Sequence, residues 1–453
     1  MTKSNSLVTT GVQNPSSPLA ASEILLPSEI LPTREDFLFI DSEFRAGPAS
    51  PLDFVKALQS AKMAQEKVRK LTSEERAQFL YRWSEKIDQE KESLVEAESR
   101  SSGLPRDFIL REILEASQNL LQELSADVRK TSLSSSSPTG VIAMWGPRSL
   151  GFLRLTSWIA KAFAAGNSVL VRPHPHSLES ARRLGQILQS LDVPNGVVQI
   201  LSGPDSELGP LLSGHPGVQA FLYSGSAAGA ESLMTEVSRT KKKAQFFLGA
   251  KNSALVLPEF DFRDGMTHLL RPALIGAGQL DVNTHRYFIH QSVEKDFYGE
   301  LQNYLQAHRT QFKLNFFDPS HQEIYDKAKG RVQVDEGHFI IKGTSSWTRD
   351  LPQCSELQQE DIPGPLFIIT AVKYVHEMVK WSQAGEYGHS ALIWGPQEKA
   401  RQLAAQLQVG QVLINQWTGF VRWASPIKRS FWGNPDGRWS GSFFSDVKNM
   451  WLT

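Results

Sequence analysis

Between residues 139 and 257, short β-branched runs alternate with helix-like stretches, and this alternation limits the possible folds more than any other feature of the chain. The runs are Gly140 to Met144, Ser168 to Val171, Val197 to Leu201, Val218 to Leu222 and Ala254 to Leu257. Strands separated by helical segments do not close as tight hairpins; they become parallel neighbours joined by crossover helices that cover the sheet faces. The stretch Glu179 to Leu191 places Ala181, Leu184, Ile187, Leu188 and Leu191 on one side, as a covering helix requires. The pattern predicts a doubly wound α/β sheet, which binds ligands at the carboxyl ends of its strands.

Upstream the chain is helical. Residues 1 to 33 are rich in Ser, Thr and Pro, with short apolar clusters such as Ile24-Leu25-Leu26, and are expected to form a poorly ordered tail. Ser50 and Pro51 suit a helix start, with Phe54, Leu58 and Ala61 on one face. Thr72 and Glu75 make a capping box, and Leu80, Trp83, Ile87 and Leu94 carry the apolar stripe onward. A third helical stretch runs from about Pro105 to Val128, and the serines 132 to 137 with Pro138 end it. A second α/β segment is expected from about 262 to 425, with strands near Arg286 to His290, His338 to Ile341 and Leu366 to Thr370.

Charge excludes several partner classes. Lysine plus arginine equals aspartate plus glutamate at 48 each, so no global field favours nucleic acid or an anionic membrane. The basic run Arg239-Thr240-Lys241-Lys242-Lys243 reads as a solvated turn. The single cysteine, Cys354, lies in a polar linker, excludes an internal disulfide framework and fits a reducing cytoplasm. No run reaches the ~18 to 20 apolar residues of a membrane span. Seven of the 11 tryptophans follow residue 380, which reads either as a packed core or interface, or as an aromatic pocket near Trp417, Phe420 and Trp423.

A series of short motifs is laid along this framework. They are Pro138-Thr139-Gly140-Val141-Ile142-Ala143 leading to Gly146-Pro147, Ala164-Ala165-Gly166-Asn167-Ser168-Val169-Leu170-Val171-Arg172-Pro173, and Val193-Pro194-Asn195-Gly196-Val197-Val198. Further on come His215-Pro216, Tyr223-Ser224-Gly225-Ser226, Leu248-Gly249-Ala250-Lys251-Asn252, Gly278-Gln279 through Arg286, and Gly364-Pro365. In this order and spacing the chain resembles the aldehyde dehydrogenase superfamily, and looks most like its succinylglutamate semialdehyde dehydrogenase branch. The resemblance covers nearly everything after residue 50. It implies an α/β aldehyde dehydrogenase-like fold, with a doubly wound cofactor-binding domain and an α/β catalytic-type domain.

The resemblance also implies which positions carry chemistry, and there the residues differ. The family's nucleophilic cysteine position reads Asp281, its general-base glutamate reads Phe247, and its oxyanion-holding asparagine reads Ser149. A carboxylate cannot form and release a thioester, and phenylalanine cannot take a proton from water. Asp281 is left as a general base for another reaction, or as a polar residue that caps backbone or pairs with His285 or Arg286. For NAD or NADP, the resemblance assigns Arg172 to the adenosine ribose or a 2′-phosphate, Gly225 and Ser226 to the pyrophosphate turn, and Asp361 to the nicotinamide ribose. Pro175 and Pro363 replace a ribose-binding glutamate and a stacking phenylalanine, so a weakened dinucleotide site is expected. Lys428 and Arg429 read as loop charges, with an anion site as the alternative.

The implied layout places residues 34–125 and 140–246 in the cofactor-binding-type domain and 247–442 in the catalytic-type domain. Segments 126–139 and 443–453 would serve oligomerisation, the first looking short for a full strand arm. The expectation is a cytoplasmic, catalytically inactive relative that acts as a binding or interaction protein, forming a homodimer or assembling with a related subunit. Its small-molecule ligand would be a carbonyl compound or nucleotide. The alternative is an NAD(P)-dependent oxidoreductase that acts on a semialdehyde by a non-thiol route.

Overall fold

The computed structural model describes residues 35–130, 136–191, 193–307, 316, 319–332, 339–341, 345–349, 355–417, 427–433 and 441–447. The 1–33 tail, Cys354, Phe420 and Trp423 lie outside them.

Two large sheets organise the molecule. The first has eight strands: β1 (Phe37–Ile40), β2 (Glu43–Ala46), β4 (Val141–Trp145), β5 (Ser168–Arg172), β6 (Val198–Leu201), β7 (Ala220–Ser224), β8 (Lys243–Phe247) and β18 (Phe431–Gly433). Their order is β18-β8-β7-β4-β5-β6-β1-β2. The five central strands are parallel and the outer ones antiparallel. The second sheet has seven: β9 (Asn252–Val256), β10 (Thr284–His290), β11 (Phe339–Ile341), β12 (Ser345–Arg349), β13 (Leu366–Val372), β15 (Ser390–Trp394) and β16 (Gln411–Ile414), in the order β11-β12-β13-β10-β9-β15-β16. Two small ribbons pair β14 (Tyr387–Gly388) with β17 (Ile427–Lys428), and β3 (Ser136–Pro138) with β19 (Ser445–Val447).

The doubly wound sheet is as expected, with two corrections. The run near Ala254 is a strand of the second sheet, paired with β10 and β15, and the fifth central strand of the first sheet is Lys243–Phe247. Adjacency in sequence suggested one continuous β/α series, but only tertiary pairing shows where the chain changes sheets. The apolar stripe from Thr72 to Leu94 also belongs to two helices, Ser73–Gln89 and Lys91–Ser102. The capping box at Thr72 forms as read: Thr72 Oγ1 accepts from the Glu75 amide at 3.2 Å, and the Glu75 carboxylate accepts from the Thr72 amide at 2.7 Å.

Buried side chains explain why these helices stay in place. Trp83 and Ile87 of one helix and Leu120 and Leu121 of helix Ala116–Lys130 are fully enclosed in a shared core. Each such residue contributes roughly 1.5–3 kcal/mol by leaving water. Helix Gly151–Ala164, which follows β4, is buried almost along its whole length. Its start is crowded, since a Cβ on Gly151 would stand 2.5 Å from Ser177 Oγ. Among the described residues no helix is long and apolar enough to cross a membrane.

The loop that leads into β10 is wound left-handed at three successive residues, Gly276, Ala277 and Gly278, with φ of 60°, 51° and 68°. At Gly278 the backbone crosses Gly364: the Gly364 amide donates to Gly278 O at 3.0 Å, and a Cβ on Gly278 would lie 2.2 Å from Gly364 O. Gly278→Ala therefore adds both a backbone clash and left-handed strain. It is expected to cost on the order of 3 kcal/mol or more; urea unfolding of the variant beside the parent checks this, and an unchanged midpoint would refute the crossing.

Candidate functional site

Helix Gly151–Ala164, largely apolar, carries Arg154 and Trp158. Spaced by four, they share one helix face. Arg154 Nη2 donates to Asp281 Oδ2, forming an ion pair between the helix behind the first sheet and the loop before the second. The pair is largely shielded, the arginine side chain being 11% and the aspartate 22% exposed. One turn on, the Trp158 ring packs 5.7 Å from Phe247, whose other side meets Phe431 edge-on at 5.1 Å. Phe431 is also the register partner of Phe247 across β18 and β8. A single helix face thus covers both Asp281 and Phe247.

The backbone around Asp281 is held by amide side chains. Asn252 Nδ2 donates to Asp281 O at 2.8 Å and to Asn283 O at 2.7 Å, Asn283 Nδ2 donates to Ile275 O at 3.0 Å, and Trp417 Nε1 donates to Val282 O at 3.3 Å. Burial pushes the Asp281 carboxyl up, but the charge and hydrogen bond of Arg154, with a contribution from His389, outweigh it and leave the group below its usual range. His389 Nε2 lies 3.9 Å from Asp281 Oδ2. Burial drives this imidazole below its usual value despite the carboxylate. Asp281 Oδ1, Arg154 Nε and His389 Nδ1 are buried without hydrogen-bond partners.

Asp281 does not pair with His285 or Arg286, which the sequence had offered as partners. His285 points the other way: its Nε2 lies 3.2 Å from Gly278 O and 3.1 Å from Gly364 O, and burial pushes its pKa down to about 3. Arg286 donates to Lys251 O at 2.8 Å and Ser382 O at 3.0 Å. Alternation along β10 sends these side chains to opposite faces and away from the loop.

Ser149 lies in the loop after β4, just before Leu150, which takes a left-handed φ of 55°. It lines a cavity of about 10 Å³ with Glu98, Arg148, His176, Ser180 and Leu280, space for no more than one water. Ser177 Oγ fixes this loop by donating to Pro147 O at 2.7 Å. Arg172, Gly225 and Ser226 lie at the carboxyl ends of β5 and β7, and Pro175 opens the short turn Pro175–Ser177 beyond Arg172. Asp361 is solvent-facing, and its Oδ2 accepts from the Ala250 amide at 3.3 Å. Lys251 beside it is 2% exposed, and burial pulls its amine well below the usual lysine range. Lys428 Nζ donates to Gln383 O at 3.2 Å, and Arg429 pairs with Glu386 at 2.9 Å on the exposed surface.

Sequence reasoning missed Arg154, Trp158, His389 and Glu98. An arginine inside the otherwise apolar stretch Gly151-Phe152-Leu153-Arg154-Leu155 was the available signal, because such a charge needs an internal partner. Glu98 is 4% exposed, accepts from Ser180 Oγ at 2.6 Å, and is pushed up to about 7 by burial.

The profile of the aldehyde dehydrogenase family matches residues 44–316 and 329–450. The 2-hydroxymuconic semialdehyde dehydrogenase of Pseudomonas sp. (strain CF600) is 26% identical over 432 residues, covering 84% of this chain and 87% of that one. FUS7 of Gibberella fujikuroi (strain CBS 195.34 / IMI 58289 / NRRL A-6831) is 27% identical over 311 residues, a match that spans 65% of this chain and 66% of the fungal protein. Among solved structures, lactaldehyde dehydrogenase from Escherichia coli superposes with a TM-score of 0.82 at 18% identity, covering 92% of this chain and 99% of that chain. A mutant of aldehyde dehydrogenase C from Pseudomonas syringae, complexed with NAD+ and octanal, gives 0.82 at 21%, covering 92% and 96%. At these identities the superpositions show the fold.

Two outcomes follow from the site's electrostatics. Arg154→Met leaves the shielded Asp281 carboxylate without its cation, at an expected cost of about 2–4 kcal/mol in urea unfolding at neutral pH, and Arg154→Met/Asp281→Leu recovers most of it. A double variant no better than the single would show that the pair is not the cause. For Glu98 the folded pKa lies above its 4.5 reference, so the folded state holds a proton that the unfolded chain loses. Its contribution is intact below about pH 4.5 and is lost as pH rises towards 7. Glu98→Gln is therefore expected to be nearly neutral at pH ~4.5 and to stabilise by up to about 3 kcal/mol at pH ~8. Equal effects at the two pH values would contradict this.

Proposed function

The chain belongs to the aldehyde dehydrogenase family, and from that premise we propose that it no longer oxidises aldehydes and acts instead as a binding or interaction protein. The observation that carries the reading is the Arg154–Asp281 ion pair. At the position aligned with the family's nucleophile the chain offers a carboxylate already neutralised by an arginine. Attack by that carboxylate on an aldehyde, followed by hydride loss, would leave a mixed anhydride rather than a thioester, and the ion pair lowers its nucleophilicity further. At the position aligned with the general base, Phe247 lies between Trp158 and Phe431 and accepts no proton. A missing general base alone costs ~10²- to 10⁴-fold.

The finer kinship, to the succinylglutamate semialdehyde branch, belongs to the same proposal and rests on the ordered motifs. So does assembly as a homodimer or with a related subunit, which light scattering of the purified chain and co-purification from its source would test. A second reading, hydride transfer between NAD(P) and the aldehyde group of a semialdehyde without a thiol, draws support from solvent-facing Asp361 and from relatives named as semialdehyde dehydrogenases.

The deciding experiment follows reduced nicotinamide in both directions over a panel of aldehydes and semialdehydes. The expected outcome is no turnover above the protein-free rate. Turnover that is abolished in Ser149→Ala would overturn the inactive reading in favour of the second.

A further inference from the structure

The first sheet has its topological switch between β4 and β7. From β4 the chain proceeds outward through β5 and β6, then returns to the other side of β4 as β7 and β8. Sheets of this kind take ligands in the crevice at the carboxyl ends of the strands at that point. Trp145 ends β4 and is the register partner of both Arg172, which ends β5, and Tyr223 in β7. Register partners project to the same face, so three large side chains stand abreast at the mouth of the crevice.

All three are enclosed, at 6%, 2% and 4% exposure respectively. The Arg172 guanidinium lies 4.4 Å from the centre of the Trp145 ring. Its Nη2 donates to the Asp205 carboxylate and, at 3.4 Å, to Gly203 O, while Nε and Nη1 have no hydrogen-bond partner. The indole face is what the cation is given in place of water. Trp145 also lies against Gly209 of helix Asp205–Gly214, where an added Cβ would come within 3.7 Å of the ring. Its other neighbour is Tyr223, ring centres 6.3 Å apart.

Tyr223 fills the next turn. Its hydroxyl donates to Ser226 O at 3.1 Å, and a Cβ would meet that hydroxyl at 2.3 Å on Gly225 and 2.7 Å on Gly229. The Gly229 amide donates to the Ser226 hydroxyl at 3.1 Å to cap the helix, so this amide is already taken. A dinucleotide needs an open strand end for its ribose and a turn whose donors are free for its pyrophosphate. The residues present do not fit that group.

We propose that the nucleotide crevice of this chain is filled from within, Trp145 and Arg172 occupying the ribose side and Tyr223 the pyrophosphate turn, so that neither NAD nor NADP binds. This stands on residues other than Asp281 and Phe247 and is independent of whether the chain oxidises aldehydes. The indole is the largest part of the plug, and shortening it reopens the crevice.

Calorimetric titration with NAD, NADP and 5′-AMP is the test, on the full chain and on Trp145→Val, which keeps a β-branched residue at the strand end. The parent is expected to give no heat and no thermal shift at millimolar nucleotide, and the variant to bind 5′-AMP at least tenfold more tightly than the parent. A micromolar dissociation constant for NAD or NADP in the parent would overturn the proposal while leaving the inactive reading to be judged by turnover. A variant with native circular dichroism that stays silent to 5′-AMP would also overturn it. If Trp145→Val does not fold, the parent titration still decides.

Discussion

The contact on which the site depends is the ion pair between Arg154 and Asp281. It joins the helix packed against the first sheet to the loop entering the second, and it does so where water is largely excluded. Separating these charges would leave two poorly hydrated ions, which costs more than the pair itself contributes. The arrangement of the cleft follows from that asymmetry. Helix Gly151–Ala164 must keep its Arg154 face towards the loop, which in turn presents Trp158 to Phe247 one turn later. The loop backbone is also held by hydrogen bonds from Asn252, Asn283 and Trp417.

Where a reactive group would need mobility and solvent, this cleft has packing. The aromatic contacts of Phe247, the cavity of one water's size beside Ser149 and the stacked Trp145 and Arg172 all close space. These features come from different elements but act in the same direction. The two sheets retain their strand order and crossover helices because these depend on apolar burial and backbone pairing, neither of which requires particular polar side chains in the cleft. Fold and chemistry can therefore separate within one chain.

Much of the fold was legible in the sequence. Thr72 with Glu75, Ser50 with Pro51 and the strand runs at 141, 168, 198 and 220 are local signals, set by caps, turns and periodicity within a few residues. The first sheet's edges were not legible: β1, which carries β2 beside it, pairs with a strand more than 150 residues away, and β18 closes the other side from the far end of the chain. Such pairings depend on where distant segments arrive. At the site, the identities Asp281 and Phe247 could be read from their motifs, but the partner of neither could.

By itself the sequence determined the parallel α/β class, the helix boundaries that carry caps, and the presence of Asp281 and Phe247 within their motifs, because each is encoded by neighbours along the chain. Only the tertiary structure decided that Asp281 meets Arg154 rather than His285, that the run at 254 joins the second sheet, and that Trp145, Arg172 and Tyr223 stand abreast. The physical reason is that the energy of a shielded charge or a stacked ring depends on the atoms facing it. Those atoms come from segments tens to hundreds of residues apart, which folding alone brings together.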